Sequence, residues 1–226
     1  MTHDPNNMTH RLSTKTIILI VSAVLFSILF TMPAFAANLP VPHTSQAPYG
    51  DWRQPWFDAC EETSIVMVDA YYREYPKKNL NKKIARAKIL ELFKKKNKTI
   101  GWGLDENANK VVKMINKFYD WQAKTVKKPT IEMIKEEIDG GHPVIIPAYG
   151  RALKNPRFKQ GGPDYHMFVV SGYDDKKKEF IVQEPGTRYG LDFRYKYDTV
   201  MNAMHDFHGR GKTKTGQKVA IFTMPT

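Results

Sequence analysis

The sequence predicts an α+β domain, and three features of its patterning predict it. Segments with helical spacing of apolar residues come first, between residues 58 and 139. Apolar runs of strand length cluster after residue 142. No internal repeat or Gly/Ser-rich linker divides residues 37–226, a length that suits one domain. Helices followed by strands read as an N-terminal helical part packed on an antiparallel sheet.

Residues 1–36 read differently. Arg11 and Lys15 precede an uncharged apolar run from Ile17 to Phe30. As a helix that run would span about 21 Å, short of the roughly 30 Å hydrocarbon core of a bilayer. Pro33-Ala34-Phe35-Ala36-Ala37 then offers small residues in an A-x-A arrangement. A basic start, a short apolar middle and a small-residue exit describe a secretory signal peptide. An uncleaved signal anchor is the alternative. Either sends the rest of the chain across a membrane, to a secreted, periplasmic or cell-envelope location. After removal of the signal no membrane span is expected.

The remaining elements follow in order. Residues 38–51 are rich in Pro, Gly and Ser and read as extended chain and loop. Asp58 and Glu61 have the capping-box spacing, which places Asp58 at the N-cap of a helix running to about Tyr72. Apolar groups cover so much of its circumference that it should be largely buried. Asn81–Lys95 and Asp105–Tyr119 read as amphipathic helices, the second with Asp105 as N-cap. Thr130–Asp139 is a short helix stopped by Gly140-Gly141. Strands are expected at Pro143–Tyr149, His166–Tyr173, Phe180–Gln183 and Ala220–Met224.

Composition excludes several classes. The 226 residues carry a formal charge of +12, and at 42% apolar they hold enough apolar mass to bury a core, so the chain is not disordered. The charge suits anionic cell-envelope polymers as a partner. A solvated face is the commoner meaning of such charge, and the Lys runs are scattered. An exported protein rarely meets nucleic acid, so none is expected. A single cysteine excludes an internal disulfide and a multi-cysteine zinc site. His205 and His208 offer too few ligands for a metal. Trp102, between Gly101 and Gly103, reads as packing a loop, with a place in a substrate groove as the alternative.

The single cysteine, Cys60, falls at the second position of the first helix if Asp58 is the cap. The free N–H groups there favour a thiolate, whereas Glu61 and Glu62 oppose one. A buried, inert thiol is the alternative. A nucleophilic sulfur needs a histidine and a group to orient it. A hairpin turn centred near Asp175 puts Glu184 directly opposite His166 on one face of the sheet. A one-residue slip would separate them. For an oxyanion, Gln46 and Gln54 are the upstream amide donors.

Four ordered segments then stand out: Val41-Pro-His-Thr-Ser-Gln46 with Asp58-Ala-Cys60-Glu-Glu-Thr-Ser64, Gly141-His-Pro-Val-Ile, His166-Met-Phe-Val-Val-Ser-Gly172-Tyr-Asp174, and Val182-Gln-Glu184-Pro-Gly186. Together they resemble the bacteriocin-processing cysteine peptidases, and more closely their secreted stand-alone relatives, over about residues 38–224. The resemblance implies a papain-like fold, Cys60 as nucleophile, His166 as general base and Glu184 in place of the family's Asp. It puts Gln46 slightly ahead of Gln54 as oxyanion donor. It implies hydrolysis of peptide bonds in a peptide or protein substrate, without a cofactor or metal. Two departures stand beside it: Glu184 is one methylene longer than Asp, and Glu61-Glu62 replaces the Gly-Pro of the transporter-fused members. A cell-wall peptide hydrolase on the same scaffold, or a non-catalytic binding module, are the alternatives.

Overall fold

The computed structural model describes residues 36–99, 101, 103 and 105–226. The predicted signal segment lies outside the described residues except for Ala36, which opens the first strand. Trp102 also lies outside them.

Five helices are described: α1 (Cys60–Tyr72), α2 (Lys82–Thr99), α3 (Ala108–Phe118), α4 (Ile131–Asp139) and α5 (Tyr197–Ala203). The strands are β1 (Ala36–Asn38), β2 (Trp121–Lys127), β3 (Val144–Tyr149), β4 (Tyr165–Asp174), β5 (Glu179–Gln183), β6 (Phe193–Lys196) and β7 (Val219–Pro225). They form one sheet in the order β2-β7-β3-β4-β5-β6, with β1 paired to β4, and every pairing is antiparallel. Among the described residues no helix is long and apolar enough to cross a membrane.

The sheet separates two cores. Tyr165, Met167 and Val169 of β4 pack with α1, α2 and α3. Phe168 and Val170, the alternate residues, pack with α4 and α5. α1 is buried from Cys60 to Ala70, as its apolar girth predicts. Its start differs from expectation. Trp56–Asp58 forms a 3₁₀ turn, so Ala59 takes the N-cap position and Cys60 becomes the first helical residue. Asp58 makes no capping bond; its carboxylate accepts from Gln54 Nε2 at 2.7 Å. The α3 cap is likewise Asn107 and not Asp105, its side chain accepting from Lys110 N at 3.0 Å. α4 follows expectation, with Thr130 accepting from Met133 N and Gly140 at the C-cap.

The hairpin of β4 and β5 also departs from the simple pairing. Near the turn Asp174 faces Glu179 and Tyr173 faces Phe180, but beyond a bulge between Val170 and Gly172 the partners are Val170 with Val182 and Val169 with Gln183. The bulge inserts one extra residue on β4. Without it the ladder would continue with Glu184 opposite Val169, on the face away from His166. With it Glu184 falls opposite Phe168, on the same face as His166 two residues along.

α1 and α2 are joined by a buried ion pair, Lys96 Nζ to Glu62 Oε1 at 2.6 Å, with neither side chain exposed. Removing one partner leaves a buried charge alone. Lys96→Ala is therefore expected to lower the free energy of unfolding by about 3–5 kcal/mol. Replacing both residues with Met should recover most of that loss, read by urea denaturation.

Candidate active site

Glu184 is the most constrained side chain of the site. It follows the last residue of β5 and is fully buried. Its Oε1 accepts from His166 Nε2 at 2.5 Å and from Gly186 N at 2.8 Å, and its Oε2 accepts from the Tyr195 hydroxyl at 2.9 Å. The extra methylene of Glu thus still reaches the imidazole. Tyr195, on β6 opposite Phe180, takes in turn a 2.7 Å bond from Asn155 Nδ2. The Glu184 backbone is fixed as well: its N–H donates to Gly190 O, and its carbonyl accepts from His43 Nε2 at 3.0 Å. A Cβ on Gly190 would lie 1.9 Å from that carbonyl oxygen, so the close approach requires glycine. Burial pushes the His43 pKa down, which keeps the ring neutral and leaves Nε2–H as the donor.

His166, the second residue of β4, has one ring nitrogen spent on Glu184. Nδ1 is left to meet a substrate or sulfur. Phe158 meets the ring edge-on, with centroids 5.2 Å apart, and holds its plane.

Cys60 lines the same cleft as His166, a space of about 1110 Å³. Among the described residues the thiol's hydrogen bond goes to Glu61 Oε2, at 3.0 Å, and not to His166. The other Glu61 oxygen accepts from Glu106 N at 2.7 Å. Burial first, then the Glu61 charge, push the thiol pKa well above its usual value, and Asp105 and Glu62 add to this. The helix start favours a thiolate; burial and the acidic surroundings outweigh it here. Glu61 is itself pushed up, by burial first and then by Glu62 and Asp105.

The two glutamines divide. Gln46 is buried and lines the cleft. Its Nε2 donates to Trp56 O at 2.9 Å and Phe57 O at 2.8 Å, which spans both amide hydrogens. Gln54 is exposed, donates to Asp58 and is not part of the cleft lining. The N–H of Cys60 opens α1, where intrahelical bonding leaves the first donors free. The structure therefore brings Cys60, His166 and Gln46 to one cleft, sets Glu184 buried behind His166, and leaves Gln54 outside. Asn155, Tyr195, His43 and the Glu61 contact were not anticipated. His43 and Gly186 lie inside the motif segments, whereas the pairing of Tyr195 needs the register of a third strand.

The Cys60 environment sets an expected pH response. Alkylation of Cys60 by iodoacetamide should stay slow through neutral pH and rise only toward alkaline pH, because the raised pKa keeps the thiol protonated. Glu61→Gln should move the midpoint of that rise to lower pH, read by mass spectrometry of the labelled protein.

Comparison with known proteins gives a family and a fold. The Peptidase_C39 like family matches residues 38–214. Among solved structures, the crystal structure of a candidate C39-like peptidase from Bacillus anthracis superposes with a TM-score of 0.56 at 16% sequence identity, covering 84% of this chain and 98% of that chain. At that identity the likeness shows the fold, an α+β papain-like architecture. No curated protein matches the chain. The family match spans more than half of the sequence and includes Cys60, His166 and Glu184: this chain belongs to the Peptidase_C39 like family.

Proposed function

We propose that the protein is an exported cysteine peptidase in which residues 1–36 direct export and residues 37–226 form the enzyme. The observation that carries the reading is the buried His166–Glu184 pair at 2.5 Å, whose histidine lines one cleft with Cys60. A carboxylate with three donors cannot easily reorient, so it fixes the imidazole tautomer with Nε2 protonated and Nδ1 free.

In the resting protein the thiol proton points to Glu61. Catalysis requires the sulfur to turn to His166 Nδ1 and give it that proton. The sulfur then attacks the carbonyl carbon of a peptide bond, and the carbonyl oxygen takes the negative charge. The Cys60 N–H meets this oxygen, together with Gln46 Nε2 once it exchanges one of its two carbonyl partners for it. His166 passes its proton to the leaving amine as the C–N bond breaks, leaving a thioester. Water, deprotonated by the same imidazole, hydrolyses the thioester and restores the thiol. No step needs a cofactor.

A cell-wall peptide is the second substrate reading, favoured by the net charge of +12. Wild type should cleave casein or purified wall peptide, and the two substrates separate these readings. Cys60→Ala and His166→Ala should each lower kcat/KM on the order of 10⁴-fold. Gln46→Ala should lower kcat by roughly 10²–10³. Equal product from wild type and Cys60→Ala on both substrates would show instead a binding module that retains the fold.

A further inference from the structure

The cleft is electrically lopsided. Four of the five cations that line it, Arg151, Arg157, Lys159 and Arg188, come from the segments after β3 and β5, the two that adjoin His166 and Glu184, and the fifth, Lys82, opens α2. None of the four makes an ion pair with a described carboxylate. The carboxylates in the lining, Asp58 and Asp105, come from the segments leading into α1 and α3, at the cysteine end. Asp58 already faces Arg210 at 3.6 Å. A wall that carries one sign of charge focuses its field on whatever lies along it.

The cationic wall is also built. Arg157 and Arg188 both lie over the Tyr189 ring, at 4.9 Å and 4.7 Å from its centroid. That ring is 52% exposed. Arg157 N donates to Asn155 Oδ1 at 2.9 Å, and the same Asn155 donates to Tyr195, which donates to Glu184. The loop that carries the charge is therefore tied through two side chains to the carboxylate that orients His166. Three more exposed aromatics, Tyr49, Trp52 and Phe57, face the cleft. Flat apolar faces in one cleft with guanidinium groups suit the side chains of an extended peptide.

We infer that the cleft selects an acidic segment of polypeptide, whose Asp or Glu side chains lie against Arg157, Arg188 and Lys159 on the histidine wall. A repeating polyanion fits less well, because Asp58 and Asp105 would repel the part of it that reached the cysteine end. The acidic residues are thus expected on one side of the scissile bond only. The place of that bond rests on the peptidase reading; the charge preference does not.

Binding to the full-length Cys60→Ala protein tests this without chemistry. The probes are fluorescein-labelled peptides of equal length whose variable positions are all Glu, all Gln or all Lys, followed by anisotropy. The Glu peptide should bind about tenfold more tightly than the Gln peptide at low salt, and NaCl should erode the difference. Arg157→Ala with Arg188→Ala should abolish the preference, whereas replacing both with Lys should keep most of it. Lys124→Glu with Lys127→Glu, on the distant strand β2, should leave it intact. Equal binding of the Glu and Gln peptides overturns the inference. So does an equal loss in the β2 variant, which would trace the preference to net charge. Polyglycerol phosphate displacing the Glu peptide at matched charge would overturn the choice of a peptide. A retained Glu preference in a protein whose wild type hydrolyses nothing supports the inference and removes the peptidase reading alone.

Discussion

The site depends on one buried carboxylate. Glu184 is removed from water and accepts from His166, Gly186 and Tyr195. A buried carboxylate costs several kcal/mol unless its lone pairs are met. Here the donors come from β4, from the chain after β5 and from β6, so the cost is offset only when three strands are in register. The bulge between Val170 and Gly172 sets that register. One extra residue on β4 moves Glu184 to the face that carries His166. The fold and the chemistry are joined there: a change that regularises the ladder would spare most apolar contacts and still separate the imidazole from its carboxylate.

The cysteine half is built on the opposite principle. Cys60 opens a helix whose buried face carries Glu61 and Glu62 in its first turn. Such residues favour a helix start but oppose a thiolate beside them. The contact from Cys60 to Glu61 keeps the thiol protonated, and the Glu62–Lys96 pair neutralises the second acid at depth. The histidine half is thereby preset and the cysteine half held in reserve. A resting thiol protected from alkylation and oxidation is the physical consequence.

Much of this was legible in the residues. The helix from Cys60, its burial and the hairpin around Asp175 follow from apolar spacing and turn chemistry. Glu184 was paired with His166 from a register two residues off, and an even error preserves the face, so the two side chains still meet. The caps were less legible. Asp58 and Glu61 have the capping-box spacing, yet the 3₁₀ turn at Trp56–Asp58 moves the helix start beyond Asp58. β2 went unread because its lysines, at a sheet edge, mask the alternation. Tyr195 and Asn155 could not be found by motif, since their roles exist only where β6 and the loop after β3 meet Glu184. The clustering of arginines was hidden likewise: Arg151, Arg157 and Arg188 are dispersed in sequence, and the long lysine runs lie elsewhere.

The most direct test of the account is a crystal structure of the protein trapped with a peptide aldehyde. The account predicts a covalent Cys60 Sγ adduct, with the sulfur turned away from Glu61, His166 Nδ1 facing the adduct and Nε2 still on Glu184. An adduct on another residue, or an unmodified Cys60 still bonded to Glu61 beside an aldehyde bound elsewhere, would contradict it.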